Sequence, residues 1–389
     1  MTAFSEILKH KPFDEVFVPG DTGDIVACVK DGKNLLIVAL ESDYLFAGVN
    51  VKNTLEAAGK TVSALSLDCC DEYQGGDFSE GFDVIIAIGE QPALDLVRRF
   101  AEQKIIVFIP TTLVFYYAFS PRVAYFENGL LRYENRKNPD VVFFDVSLTK
   151  KMKVRHVADG LCSITKFACR AFEYSALCVI KGKKDEFSPI IDSALALLGK
   201  ISEKPYETII KCQIYLGLAV FTAPDGDFLS DAYMAHVLSR VKSAPREECM
   251  LLCAEYLIKF YAKVLKKDIS MNVIMPDYNA SVFALSELMR VEPVVIFDDY
   301  KPLDEGEFFD GLNKIYSAGL YEQAVLRKKQ IASYKRLYES VYKGKRKRLD
   351  VDRRTALAAA LGVGLISDGL MKYFSDSGIT GAVTAGGTK

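Results

Sequence analysis

Four short runs of apolar residues constrain the first third of this chain: residues 35–40 (LLIVAL), 61–67 (TVSALSL), 84–88 (VIIAI) and 105–109 (IIVFI). Stretches with helical spacing separate them, at 48–58, ending on Gly59, and at 91–103. A strand with one face in water alternates apolar and polar residues. These runs are continuous, so both faces are expected to be covered. Strands of that kind joined by helices make a parallel sheet with crossover connections. A hairpin is expected next, with strands at 124–127 and 130–133, because Asn128-Gly129 supplies the backbone that a two-residue turn requires. Residues 141–144 read as a further strand running into Asp145.

Near residue 150 the pattern changes. The segments 154–180, 190–198, 206–221, 231–241, 246–265, 281–288, 307–316 and 321–342 carry apolar residues at helical spacing. At 389 residues two cores are the natural division. The expected organisation is an α/β domain over 1–150 and an all-helical domain over 151–389. The basic stretch 343–354 (KGKRKRLDVDRR) reads as a solvated connector to a docking helix, and the last residues (GITGAVTAGGTK) as a disordered tail.

Composition removes several classes of function. A formal net charge of −2 offers no global field for nucleic acid. The apolar stretches fall short of the roughly 20 residues that span a bilayer, and the first residues have no signal-peptide core. Nine cysteines are scattered without CxxC spacing, which reads as reduced thiols in a cytoplasmic protein. No GxSxG elbow, Walker-type loop or kinase motif set is present.

From Asp83 the chain reads DVIIAIGEQPALDLVRRFAEQKIIVFIPTT. Upstream stands NLLIVALESDYLFAGVNVKNTLEAAGKTV, and downstream VVFFDVSLTKKMKVRHVADGLCSITKFACRAFEY. In order and spacing these blocks resemble the superfamily of iron-containing alcohol dehydrogenases, glycerol and glycerol-1-phosphate dehydrogenases and dehydroquinate synthases. The resemblance implies an α/β N-terminal domain with a parallel, Rossmann-like sheet, followed by an all-helical C-terminal domain. It also implies an NAD(P) site, which register places on Glu41, Gly89, Asp95, Thr111 and Thr112.

The chemistry at those positions departs from the family. Pyrophosphate packs against bare backbone N–H groups at a helix N-terminus, which is why the family keeps a glycine run there. This chain has Gly89-Glu90-Gln91-Pro92, where Glu90 brings a carboxylate and Pro92 lacks an N–H. The bulky run Leu113-Val114-Phe115-Tyr116-Tyr117 follows Thr112, where the family has small residues; it would fill the cleft or serve as core.

The family's divalent metal takes one acidic and two histidine ligands. By register those positions hold Ser163, Ala232 and Arg246, a weak neutral ligand, no ligand and a fixed cation. The whole chain has three histidines, His10, His156 and His236, in widely separated segments; at most two could meet, no HxxxH or HExxH pattern is present, and no transition metal is expected. Lys166 and His236 match the family's active-site lysine and substrate-side histidine, and with Arg246 they could hold a small anion. The expectation is a degenerate relative that binds a small anion or another protein, as a homo-oligomer or beside an active relative. The alternative is an NAD(P)-dependent dehydrogenase of a polyol or polyol phosphate, or a dehydroquinate synthase-type cyclase.

Overall fold

The computed structural model describes residues 16–70, 73, 75–201, 205–227, 229–242, 246–266, 278–299, 303–342, 351, 359 and 370–375. The basic stretch, apart from Val351, and the C-terminal tail lie outside the described residues. Two compact units make up the chain: Met1–Gly160 with Lys200–Pro224, and Leu161–Gly199 with Asp225–Lys389. The strands are β1 (Phe17–Gly20), β2 (Asn34–Leu40), β3 (Thr61–Leu67), β4 (Val84–Gly89), β5 (Ile105–Pro110), β6 (Arg122–Glu127), β7 (Leu130–Asn135) and β8 (Val141–Asp145). The helices used below are α1 (Val49–Ala57), α2 (Gln91–Phe100), α3 (Val154–Lys181), α4 (Ser188–Leu198), α5 (Pro205–Thr222), α6 (Ser230–Lys242), α7 (Arg246–Val264), α8 (Tyr278–Met289), α9 (Pro293–Asp299), α10 (Glu305–Ser317) and α11 (Tyr321–Tyr342).

In the first unit six parallel strands form one sheet in the order β1-β8-β5-β4-β2-β3, and β6 and β7 form a separate antiparallel pair. The expected parallel sheet is therefore present, and it has one strand more at its edge. β1 has only four residues and ends on Pro19-Gly20, too short for periodicity to reveal. The central strands bury both faces: Leu35–Ala39, Val84–Ile88 and Ile106–Ile109 are almost wholly enclosed. β3 departs from the expectation, because Ser63, Ala64 and Ser66 are exposed. It is an edge strand, and its apolar content is only partly covered.

The hairpin turn follows its chemistry. Asn128 and Gly129 adopt φ of 51° and 81°, the left-handed pair that matches the twist of the flanking strands. Arg98, wholly buried at the end of α2, ties the base of that hairpin. Its guanidinium donates to the carbonyls of Lys137 (2.7 Å), Ser120 (2.8 Å), Arg136 (3.1 Å) and Arg122 (3.4 Å) and to Asn138 Oδ1 (3.2 Å).

The aromatic run after Thr112 is core. Leu113 to Phe119 are all buried, and Phe115 stacks on Phe17 with ring centroids 5.8 Å apart. The partner of this run is α5, which belongs with the first unit. Gln213 Oε1 accepts from the amides of Phe115 (3.3 Å) and Tyr116 (3.4 Å), and a Cβ on Gly217 would lie 2.4 Å from the Phe119 ring.

The second unit is helical over its described residues, from the C-terminal part of α3 through α4 and α6 to α11. Its core encloses Phe167, Phe172, Phe187, Leu257 and Ile258, and the rings of Phe167 and Phe187 stack with centroids 6.0 Å apart. Among the described residues no helix is long and apolar enough to cross a membrane.

Candidate functional site

In an open parallel sheet, ligands bind beyond the carboxyl ends of the strands where the strand order reverses. Here that point lies between β2 and β4, since the chain moves outward from β2 to β3 and then crosses to β4 on the other side. Gly89 closes β4 with φ of 140°, a conformation that glycine tolerates and a side chain would not. A Cβ there would lie 2.9 Å from Asp43 Oδ2. Asp43 stands in the turn after β2, and its Oδ1 accepts from Thr111 Oγ1, at the end of β5, at 2.7 Å. One carboxylate thus spans the ends of three adjacent strands.

Burial raises the Asp43 carboxyl above its ordinary value, against the Thr111 hydrogen bond and the charge of Arg155. When ionised it repels phosphate from the bare glycine. At the start of α2 the side chain of Glu90 makes no capping hydrogen bond, and Pro92 has no N–H to offer.

The other positions expected at a cofactor separate. Glu41 is exposed, at the first residue after β2. Asp95 is buried and works inside the fold: its Oδ2 accepts from Gln91 Nε2 and from the Ala124 amide, each at 3.0 Å, and Arg98 stands 3.8 Å from its Oδ1. Thr112 is buried, and its hydroxyl oxygen accepts from the Val114 amide at 3.3 Å. Of the five positions, Gly89 and Thr111 meet at the crevice, and the residue that joins them is Asp43, which sequence register passed over for Glu41.

The second unit holds a more extensive polar cluster. Helical spacing puts Ser163, Lys166, Arg170 and Glu173 on one face of α3, and all four are buried. Arg170 is the hub. Its Nε donates to both carboxylate oxygens of Asp231 at 2.9 Å, and Nη1 to Asp227 Oδ1 at 3.0 Å. Lys166 lies near enough to Asp231 for its charge to lower that carboxyl, and its Nζ is 2.7 Å from Met250 Sδ on α7. Burial outweighs both cations, so the Asp231 carboxyl is raised overall. Glu173 accepts from the Tyr261 hydroxyl (2.5 Å) and the Ser230 amide (3.1 Å).

Burial pushes the Glu173 carboxyl up to about 7, from an ordinary 4.5, although the hydrogen bonds from Ser230 and Tyr261 pull it down. The folded chain therefore keeps a proton on Glu173 that the unfolded chain releases. The stability this supplies is present below about pH 4.5 and is lost as the pH rises through about 7. The loss is on the order of 3 kcal/mol. Thermal melts from pH 4 to 9 are expected to show the decline in the parent chain and a flatter profile in Glu173→Gln. Parallel profiles would rule out Glu173 as the source.

The three positions matched by register to the family's metal ligands lie in the second unit. Ser163 and Ala232 are completely buried, Ala232 following Asp231 directly, and Arg246 is half-buried at the start of α7. A divalent ion on that face of α3 would meet the Arg170 guanidinium, and the carboxylates nearest to it, Asp227 and Asp231, are already bonded to that guanidinium. Among the described residues no three His, Cys, Asp or Glu side chains are grouped to hold an ion. His236 is buried on α6, and its carbonyl accepts from the Ser239 hydroxyl at 2.9 Å. Sequence reasoning found Ser163 and Lys166 on this face and missed Arg170, Glu173, Asp227, Asp231 and Tyr261. The signal was available in part: within residues 160–180, a largely apolar stretch of α3, the only charged residues are Lys166, Arg170 and Glu173, and at helical spacing they need buried partners.

No family model and no curated protein matches this sequence. Solved structures do match its fold. An archaeal halo-thermophilic Red Sea brine pool alcohol dehydrogenase superposes with a TM-score of 0.61 at 16% identity, over 90% of this chain and 91% of that one. A 1,3-propanediol oxidoreductase gives 0.54 at 13% identity, over 89% and 97%. Glycerol dehydrogenase from Schizosaccharomyces pombe gives 0.51 at 15%, over 87% and 94%. The chain thus has the two-part fold of the iron-containing alcohol dehydrogenase superfamily, as the three sequence blocks implied, at an identity that speaks for the fold alone.

Proposed function

We propose that this protein is a non-redox relative on the iron-containing alcohol dehydrogenase fold, acting through binding to another protein rather than through metal-dependent hydride transfer. The observation that carries this reading is the buried cluster of Lys166, Arg170, Glu173, Asp227 and Asp231. On the helix face that would present metal ligands, Arg170 is bonded to Asp227 and Asp231, and Lys166 lies within electrostatic reach of Asp231. Asp43 over Gly89 argues in the same direction for the dinucleotide. Of the two binding roles the sequence left open, the small-anion site is the weaker, because Lys166 is enclosed with its charge beside Asp231.

The test pairs two measurements on the purified full-length chain. Elemental analysis after incubation with zinc or ferrous iron, followed by desalting, is expected to show no stoichiometric metal. Calorimetric titration with NAD⁺ and NADP⁺ at millimolar concentration is expected to show no saturable heat. Stoichiometric metal retained with saturable cofactor binding would sink the proposal. It would favour the second reading, a polyol dehydrogenase, which the glycerol dehydrogenase and propanediol oxidoreductase among the fold neighbours support.

A further inference from the structure

We infer that β3 is a self-association edge, through which two copies of this chain join their six-stranded sheets about a two-fold axis at Ala64. β3 is seven residues long and pairs in register with β2 along its whole length. No described strand pairs with its other side. Solvent-facing edges are normally blunted by charge, proline, a bulge or short length, since a bare edge pairs with any strand that meets it. The sequence TVSALSL has none of these.

Backbone direction makes the second copy the fitting occupant. The amide of Thr61 donates to Lys33 O, on the β2 side, at 2.9 Å. Backbone groups alternate sides along a strand, so Ser63, Leu65 and Leu67 also face β2, and Val62, Ala64 and Ser66 offer their N–H and C=O groups outward. An antiparallel copy centred on Ala64 sets Ala64 opposite Ala64, and Val62 opposite Ser66. All outward-facing residues then fall into hydrogen-bonded pairs.

The same register brings the flanking charges together. Lys60 of one copy stands opposite Asp68 of the other, at both ends of the ladder. Asp68 is exposed. Lys60 Nζ donates to Lys30 O at 2.8 Å and Gly32 O at 2.6 Å within its own chain, and an ammonium has a third N–H for a carboxylate. Half-buried Leu65 and Leu67 would lose exposure beside Ser63 and Thr61 of the second copy. An isologous pairing of this kind closes on itself, so it consumes both edges and gives a dimer instead of a fibre.

This inference is independent of the proposed function, because a redox-active chain could pair through β3 equally well. Light scattering and sedimentation of the full-length protein are expected to show a dimer. Ala64→Pro removes one outward N–H without touching the β2 ladder, and is expected to raise the dimer dissociation constant by roughly tenfold or more. Asp68→Lys, which sets lysine opposite lysine, is expected to weaken the dimer in a salt-dependent way and decides the matter if Ala64→Pro does not fold. A monomeric parent chain, or dimers that both variants leave intact, would overturn the inference.

Discussion

Replacing Arg170 with methionine is expected to destabilise the protein by roughly 3–5 kcal/mol, measured by urea unfolding at neutral pH. The size follows from what the change leaves behind. Asp227 and Asp231 are almost wholly buried, and Arg170 is their hydrogen-bonded counter-ion. Without it two carboxylates must remain charged in a medium of low polarity or take up protons, and either course costs several kcal/mol. A second substitution separates this explanation from a simple packing defect. Adding Asp231→Asn to the methionine variant is expected to restore part of the stability, because it removes one of the stranded charges. A loss below about 1 kcal/mol for Arg170→Met would show that solvent or rearrangement satisfies the carboxylates.

The second large effect belongs to Arg98. Replacement by methionine keeps most of the volume and deletes a fan of hydrogen bonds to four backbone carbonyls and an asparagine side chain. Hydrogen bonds from a charged donor contribute about 1.5–3 kcal/mol each in the most favourable cases, and the buried carbonyls would be left without their donor. A loss of roughly 3–5 kcal/mol is expected, since such contributions do not add in full. Arg98→Lys is expected to recover little, because an ammonium cannot reproduce the planar fork that reaches both ends of the hairpin. Hydrogen exchange offers the sharper check. Protection in β6 and β7 should fall more than in the central sheet. Uniform loss would mean that Arg98 supports the whole unit rather than the base of the hairpin.

Much of the fold was legible in the sequence because its signals are local. The continuous apolar runs marked β2, β4 and β5, and Asn-Gly marked the turn between β6 and β7. Helical periodicity located α3 and α11 to within one residue at either end. β1 escaped because four residues carry no period, and the edge position of β3 escaped because a strand's own sequence does not state how many neighbours it has. The candidate sites were less legible. Register with a known family pointed to Glu41 and Asp95, but the side chain that reaches the crevice is Asp43, two residues away in a turn whose path only the folded backbone fixes.

The sequence by itself determined a parallel α/β sheet followed by helices, and register with the resembling family set Ser163, Ala232 and Arg246 at the positions of its metal ligands. Both are properties of residue type and spacing along one segment. Tertiary structure decided what stands there instead. Arg170 meets Asp227 and Asp231 across some sixty residues of chain, and Glu173 meets Tyr261 across 88. Pairings at that separation follow from how helices pack, which no local pattern encodes. The same holds for α5, whose amphipathic pattern marks it as a helix, while the placement of Gln213 and Gly217 against the aromatic run assigns it to the first unit.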